Sequence, residues 1–189
     1  MRKLISTAAV LLFSTLSNAA QTPDGDYLLD KSHANIGFSV SHLGFSYVVG
    51  RFNQFDGEVK FEANGSSSVS FTVQAASVDT NVRRRDDHVR SEDFFDVETF
   101  PLISFSSTLI TYDENGDPKT IQGDLEFHGE KKSVSFDVST VGAGVFQTQT
   151  RSGYQAKTVI NRSDFGITGF QGVVGEQIEI TVNLELIKK

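Results

Sequence analysis

The chain has 189 residues, a net charge of −7, 38% hydrophobic residues and no cysteine. A single globular domain with a core fits that length and palette, and the acidic balance disfavours non-specific nucleic-acid binding. The absence of cysteine excludes disulfides, thiolate metal sites, cysteine nucleophiles and a lipid anchor on an N-terminal cysteine. Sixteen Phe with no Trp and one Met lean the apolar content towards strands.

The chain opens with Arg2 and Lys3, followed by an apolar run from Leu4 to Leu16 and the small-residue site Ser17-Asn18-Ala19. This order reads as a secretory signal peptide over 1–19, which predicts export to the periplasm. The run is shorter than the ~20 residues a membrane-spanning helix needs, so no stable membrane insertion is expected. Residues 20–189 are then the mature domain.

From there the pattern alternates with period two. Ile36, Phe38, Val40 and His42 share one side of a segment whose other side is Asn35, Gly37, Ser39 and Ser41. Val69, Phe71, Val73 and Ala75 form a second such face, and Val134, Phe136 and Val138 a third. Ile178, Ile180, Val182, Leu184 and Leu186 form the fourth. Each reads as a strand with one wet face. Weaker alternation over 51–62, 102–111, 120–128 and 153–162 brings the expected number to about eight.

Turn chemistry separates these strands. Asn64-Gly65, Asn115-Gly116-Asp117-Pro118 and Gly129-Glu130 predict turns between antiparallel neighbours. Asp56-Gly57 suggests a bulge within a strand, and Gly142-Ala143-Gly144 a turn. One short helix is expected over 86–95, in the connection between the third and fourth strands, with Asp86 and Asp87 at its positive end. The pattern is all-β, and it favours an eight-stranded antiparallel lipocalin-like barrel over a two-sheet sandwich. Such a barrel is either just filled by side chains or holds one small ligand. A deep, Phe-lined interior suits an elongated apolar molecule.

Catalytic and cofactor frames are missing: there is no G-x-S-x-G elbow, phosphate loop or H-E-x-x-H helix. The four histidines are scattered, so no metal site is expected. His42 stands out because it shares an apolar face, where an imidazole needs a partner. A satisfied rim histidine, a contact to a ligand head group and a metal ligand all remain open for it. His128 reads as a surface residue. The run Arg83 to Arg90 reads either as a solvated, internally paired connection or as a polar rim at a barrel mouth. Glycines at 166, 169, 172 and 175, with Phe165, Ile167, Phe170 and Val173 between them, suggest a loop that plugs or gates one barrel end. Leu43-Gly44-Phe45-Ser46-Tyr47 is too apolar for a plain solvent turn. The sequons at Asn64 and Asn161 read as chance.

An ordered set of motifs then carries a resemblance. Asp30-Lys31-Ser32-His33 leads into Phe38-Ser39-Val40-Ser41-His42, then Gly50-Arg51-Phe52 and Phe55-Asp56-Gly57. Ser77-Val78-Asp79-Thr80 precedes the run from Arg85 to Ser91, followed by Asp93 to Val97 and Pro101 to Phe105. Gly123-Asp124-Leu125 and Arg162-Ser163-Asp164-Phe165-Gly166-Ile167 complete the set. Over roughly 26–187 the chain resembles the YceI-like family of exported bacterial proteins. The resemblance implies a lipocalin-like eight-stranded barrel with a long hydrophobic tunnel, in which some members hold polyisoprenoids or other long-chain amphiphiles.

Carried onto this sequence, it implies tunnel walls at Phe38, Val40, Phe71, Phe105, Phe127, Phe136, Ile180 and Val182. It implies a mouth at His42, Arg51, Arg85, His88 and Arg162, with Asp86–Arg90 and Arg162–Asp164 as charge pairs that pin loops. The expected activity is non-catalytic binding of an isoprenoid or other long-chain lipid, with no cofactor and no nucleic-acid partner; a homodimer is left open. The rivals are a filled barrel acting as an interaction or stress-response module, and an enzyme acting on a lipid head group through His42 or His88.

Overall fold

A computed structural model describes residues 22–62 and 65–189. The expected signal peptide and the Asn64 position lie outside the described residues. The strands in chain order are β1 (Gly25–Leu29), β2 (Asn35–His42), β3 (Ser46–Phe52), β4 (Phe55–Phe61), β5 (Ser68–Gln74) and β6 (Val78–Asp79). After the helix α1 (Arg83–Arg90) come β7 (Leu102–Tyr112), β8 (Pro118–Phe127), β9 (Glu130–Phe146), β10 (Gln149–Asn161) and β11 (Val174–Lys188). Short 3-10 turns occupy Ala75–Ser77 and Arg162–Phe165.

The strands close a ring. Antiparallel pairing runs β1–β4–β5–β7–β8–β9–β10–β11 and returns from β11 to β1, which makes an eight-stranded barrel with no free edge around that ring. β2 adds to the first half of β11 and β3 adds to β2, so β1/β2 and β3/β4 each behave as one strand broken by a bend. Alternation alone places a single strand over 51–62 and overlooks β1. The break falls at Asn53-Gln54, where Asn53 N–H and Gln54 N–H bond to Ser77.

Several turns follow directly from the residue types. His128 (φ 52°) and Gly129 (φ 77°) form a two-residue turn between Phe127 and Glu130, the positive-φ pair that matches strand twist. The β7–β8 turn is closed by the Asp113 side chain, which accepts from the Asn115 and Asp117 N–H groups. Two expectations are corrected. Gly142 to Gly144 continue in β9, paired with β10. Gly57 lies in unbroken register opposite Phe71, with no bulge. A Cβ there would stand 2.5 Å from Phe71 Cε1, so glycine is required for close approach of a ring.

The helix starts three residues before the expected Asp86 and stops at Arg90. It stops because Ser91 turns extended and returns both its N–H and its hydroxyl to the His88 carbonyl. Asp86 is buried and accepts from the Thr80 N–H at 2.7 Å and from the Thr80 hydroxyl. It does not pair with Arg90, whose guanidinium reaches Asp87 and the carbonyls of Ala76 and Val78.

The two ends of the barrel differ. At the end where β1 begins, the interior is filled: Tyr27 packs on Phe61 with ring centroids 5.6 Å apart, and Phe61 on Tyr154 at 5.6 Å. Thr22 seals that end, donating its N–H and hydroxyl to Asp117 Oδ1 at 3.0 Å and sharing a hydrogen bond with Tyr154 OH at 2.6 Å. Burial pushes the Tyr154 phenol up to about 12, so it stays neutral.

On the outer wall, Arg151 reaches Asp30 Oδ2 at 2.9 Å and also Glu185, which ties the β1–β2 bend to β10 and β11. Asp30, His33 and Glu185 form one group with metal-ligand spacing, but Arg151 already supplies a cation between the two carboxylates. Hydrogen bonds from Ser32 and His33, with help from Arg151, hold the Asp30 carboxyl far below its ordinary value of 3.8. A carboxyl depressed by folding adds stability above the unfolded value and loses it as pH falls through the folded one. Asp30→Asn should therefore melt below wild type at neutral pH, and the gap should narrow as pH drops below 3.8. Thermal melts across acid pH check this; a constant gap would contradict the account.

Candidate functional site

The half of the barrel under α1 is hollow. An apolar cavity of about 350 Å³ opens there, bounded by the inward residues of β2, β3, β5, β7, β8, β9, β10 and β11, with α1 and the loop before β11 across its mouth. Phe38, Val40, Phe71, Phe105, Phe127, Phe136, Ile180 and Val182 all border it. So do Phe52, Ile103, Leu125, Ile160, Ile167 and Ile178, which are not among the wall residues that the resemblance implies. Ile178 shares the apolar face that alternation gives to Ile180 and Val182, and Ile103 lies two residues from Phe105, so the same period reaches it.

Among the predicted mouth residues, His42, Arg85, His88 and Arg162 border the cavity and Arg51 does not. Gly50 and Phe52 face inward on β3, so Arg51 between them faces out. It reaches Asp79 Oδ2 at 3.2 Å on the outer surface, where Asn53 also bonds that carboxylate.

Arg162 is 2% exposed, and its guanidinium is spent on the backbone. Nε donates to Gly175 O (3.0 Å), Nη1 to Ile167 O (2.9 Å) and Gly169 O (2.6 Å), and Nη2 to Val174 O (3.3 Å). It pins the loop over the cavity and makes no ion pair with Asp164, which instead accepts from Asn161. His128 is not a plain surface residue either. Its Nδ1 lies 3.0 Å from Phe165 O and its ring packs on Phe100, which fastens the β8–β9 turn to the same loop.

Three polar groups remain at the mouth. Arg85 donates Nε to the Thr80 hydroxyl at 2.8 Å and Nη2 to the Thr80 carbonyl at 2.7 Å, which leaves Nη1 without a protein partner among the described residues. His88 holds Asp93 through Nε2 at 2.9 Å and meets the edges of Phe94 and Phe170 at about 5 Å, so Nδ1 is left over. Phe94 and Phe170 stack at 5.4 Å with 12° between their planes, bridging helix side and loop side of the opening. The His42 imidazole borders the cavity with no hydrogen bond among the described residues. The arrangement is thus an apolar dead end with unshared polar groups at its entrance.

The β2–β3 turn stands beside this entrance, joined to the loop by Leu43 N–H to Val173 O at 2.8 Å. Phe45 on this turn is 90% exposed, and Tyr47 at the start of β3 is 72% exposed.

Comparison with known proteins agrees with this architecture. A YceI-like domain model matches residues 27–186. The chain is 40% identical over 186 residues to a UPF0312 protein of Shewanella denitrificans, covering 96% of this chain and 94% of that protein. It superposes on the Campylobacter jejuni YCEI protein with a TM-score of 0.70 and 25% identity, over 86% of this chain and 98% of that one. It also superposes on a polyisoprenoid binding domain from Saccharophagus degradans with a TM-score of 0.67 and 14% identity, over 88% of this chain and 100% of that one. That last likeness shows the fold alone. Matched by the domain model across almost every strand of the closed barrel, the chain belongs to the YceI-like family.

Proposed function

We propose that this chain is an exported, periplasmic carrier that holds the apolar tail of one amphiphile inside the barrel and its polar head at the mouth. The observation that carries the reading is the apolar hollow of about 350 Å³, closed at one end and opening beside the polar groups that His42, Arg85 and His88 leave unshared. That volume sits near the small end of the roughly 300–1,000 Å³ of ordinary small-molecule sites. Each methylene moved from water into such a site is worth about 0.8 kcal/mol before the cost of immobilising the chain. No bond-making step is needed, so we infer a binding protein and not an enzyme. The structural neighbour described as a polyisoprenoid binding domain supports an isoprenoid or similar lipid as the ligand class.

Solvent extraction of freshly purified protein, followed by mass analysis, tests the reading. A stoichiometric amphiphile is expected, and His42→Ala should lower its retention by about three- to tenfold, the loss of roughly one polar contact. A clean apo mass, with no uptake of polyprenyl lipid, quinone or shorter single-chain amphiphile, would overturn it. The exposed Phe45 and Tyr47 would then favour the interaction-module reading.

A further inference from the structure

We propose that the cavity is gauged for one slender tail of about a dozen carbons, its bore set by glycine–phenylalanine pairs in the wall and its depth by Phe105 and Phe136. This rests on the carrier reading and narrows it.

The bore follows from where the rings lie. Gly50 stands opposite Phe38 across β2–β3, and a Cβ on it would fall 2.3 Å from Phe38 Cζ. Gly57 stands opposite Phe71 across β4–β5, with the corresponding distance 2.5 Å. Gly123 on β8 lies beneath Phe105, with a Cβ 2.5 Å from its Cζ. Each ring therefore lies over the backbone of a neighbouring strand instead of projecting into the lumen. Glycine within a strand marks this kind of close approach, and an aromatic laid across it covers the gap. A Phe-rich barrel stays hollow because these glycines take in its rings.

The depth follows from what lies below. Phe105 and Phe136 meet edge to face at 5.3 Å and border the cavity. Val59, Val69, Ile121 and Leu186 are buried in the same core but do not border it. The sealed Tyr27–Phe61–Tyr154 end lies beyond them, so a tail cannot pass through. If a methylene takes about the ~30 Å³ share of a liquid water molecule, 350 Å³ holds on the order of a dozen. A long polyisoprenoid would leave most of its length outside; a short terpenoid or single medium-length acyl chain would be enclosed.

The test is displacement of an apolar fluorophore by n-alkyl carboxylates of about eight to about eighteen carbons. Affinity should rise by about fourfold per methylene and level off near a dozen carbons. The clean variant is Gly50→Ala, because the three atoms nearest the added Cβ all belong to the Phe38 ring. The ring must swing into the lumen, so the plateau should move to shorter chains, and Phe38→Leu on the same background should restore it. Phe136→Leu should move the plateau to longer chains, and melting curves confirm that each variant is folded. Affinity that climbs to the longest chain without a break, or a folded Gly50→Ala that matches wild type across the series, would overturn the gauge while leaving the carrier reading intact. Failure of the fluorophore and of every chain to bind would overturn both.

Discussion

Arg162→Ala is expected to destabilise the protein by about 3–5 kcal/mol, a fall of roughly 10 °C or more in Tm. The side chain is 2% exposed and its fork satisfies the carbonyls of Ile167, Gly169, Val174 and Gly175. Hydrogen bonds to a charged donor are worth more than neutral ones, and removing the donor leaves the acceptors stranded at a buried site. Water will reach some of them, which keeps the expected loss below the sum of four such bonds. Four dipoles pointed at one cation also explain how a guanidinium is tolerated there without a carboxylate in direct contact. Arg162→Lys should recover little, because a compact ammonium cannot span acceptors on both sides of the loop. Chemical denaturation of the two variants checks this. A loss under about 1 kcal/mol for the alanine variant would mean that the loop is held by its apolar contacts alone. Ligand retention should fall with stability, since the same loop carries Phe170 against Phe94 across the entrance.

The strands were legible because burial on one face imposes alternation, and the wall residues came with them. Phe38, Phe71, Phe105 and Phe136 sit where period two puts them. The motif resemblance puts Arg51 at the mouth, against the alternation of Gly50 and Phe52 beside it, and alternation is the better guide. What a loop arginine binds was not legible. The acceptors of Arg162 are carbonyls up to 13 residues away, and their positions depend on a loop path that no side-chain pattern encodes. The same holds for Asp86, whose partner Thr80 precedes the helix and is brought to it by the turn at Asn81 (φ 65°). The hollowness of the barrel was the hardest feature to see. Counting phenylalanines says how much apolar surface must be buried, not where each ring lies. The signal was present in the glycines at 50, 57 and 123, each inside a strand, but its meaning requires the register that sets Gly50 across from Phe38 and Gly57 across from Phe71.

The register itself has a sharp consequence on β9. Ser135 is exposed and Phe136 is buried, though they are neighbours. Phe136→Asp removes a ring that packs on Phe105 and places a carboxylate opposite Ile121 in an apolar wall. Loss of the buried ring alone is worth about 3–5 kcal/mol, and an unpaired buried charge adds several more. That total is comparable with the whole stability of an ordinary domain, so the variant should fail to fold or should survive only with its new carboxyl protonated. Ser135→Asp, one residue away on the solvent face, should change the melting temperature by no more than a degree or two, about 0.5 kcal/mol. Expression, circular dichroism and melting of the two variants side by side decide the matter. Similar behaviour of the pair would mean that β9 is shifted by one residue, which would also turn Val134 and Val138 outward and empty the floor on which the tail-length limit depends.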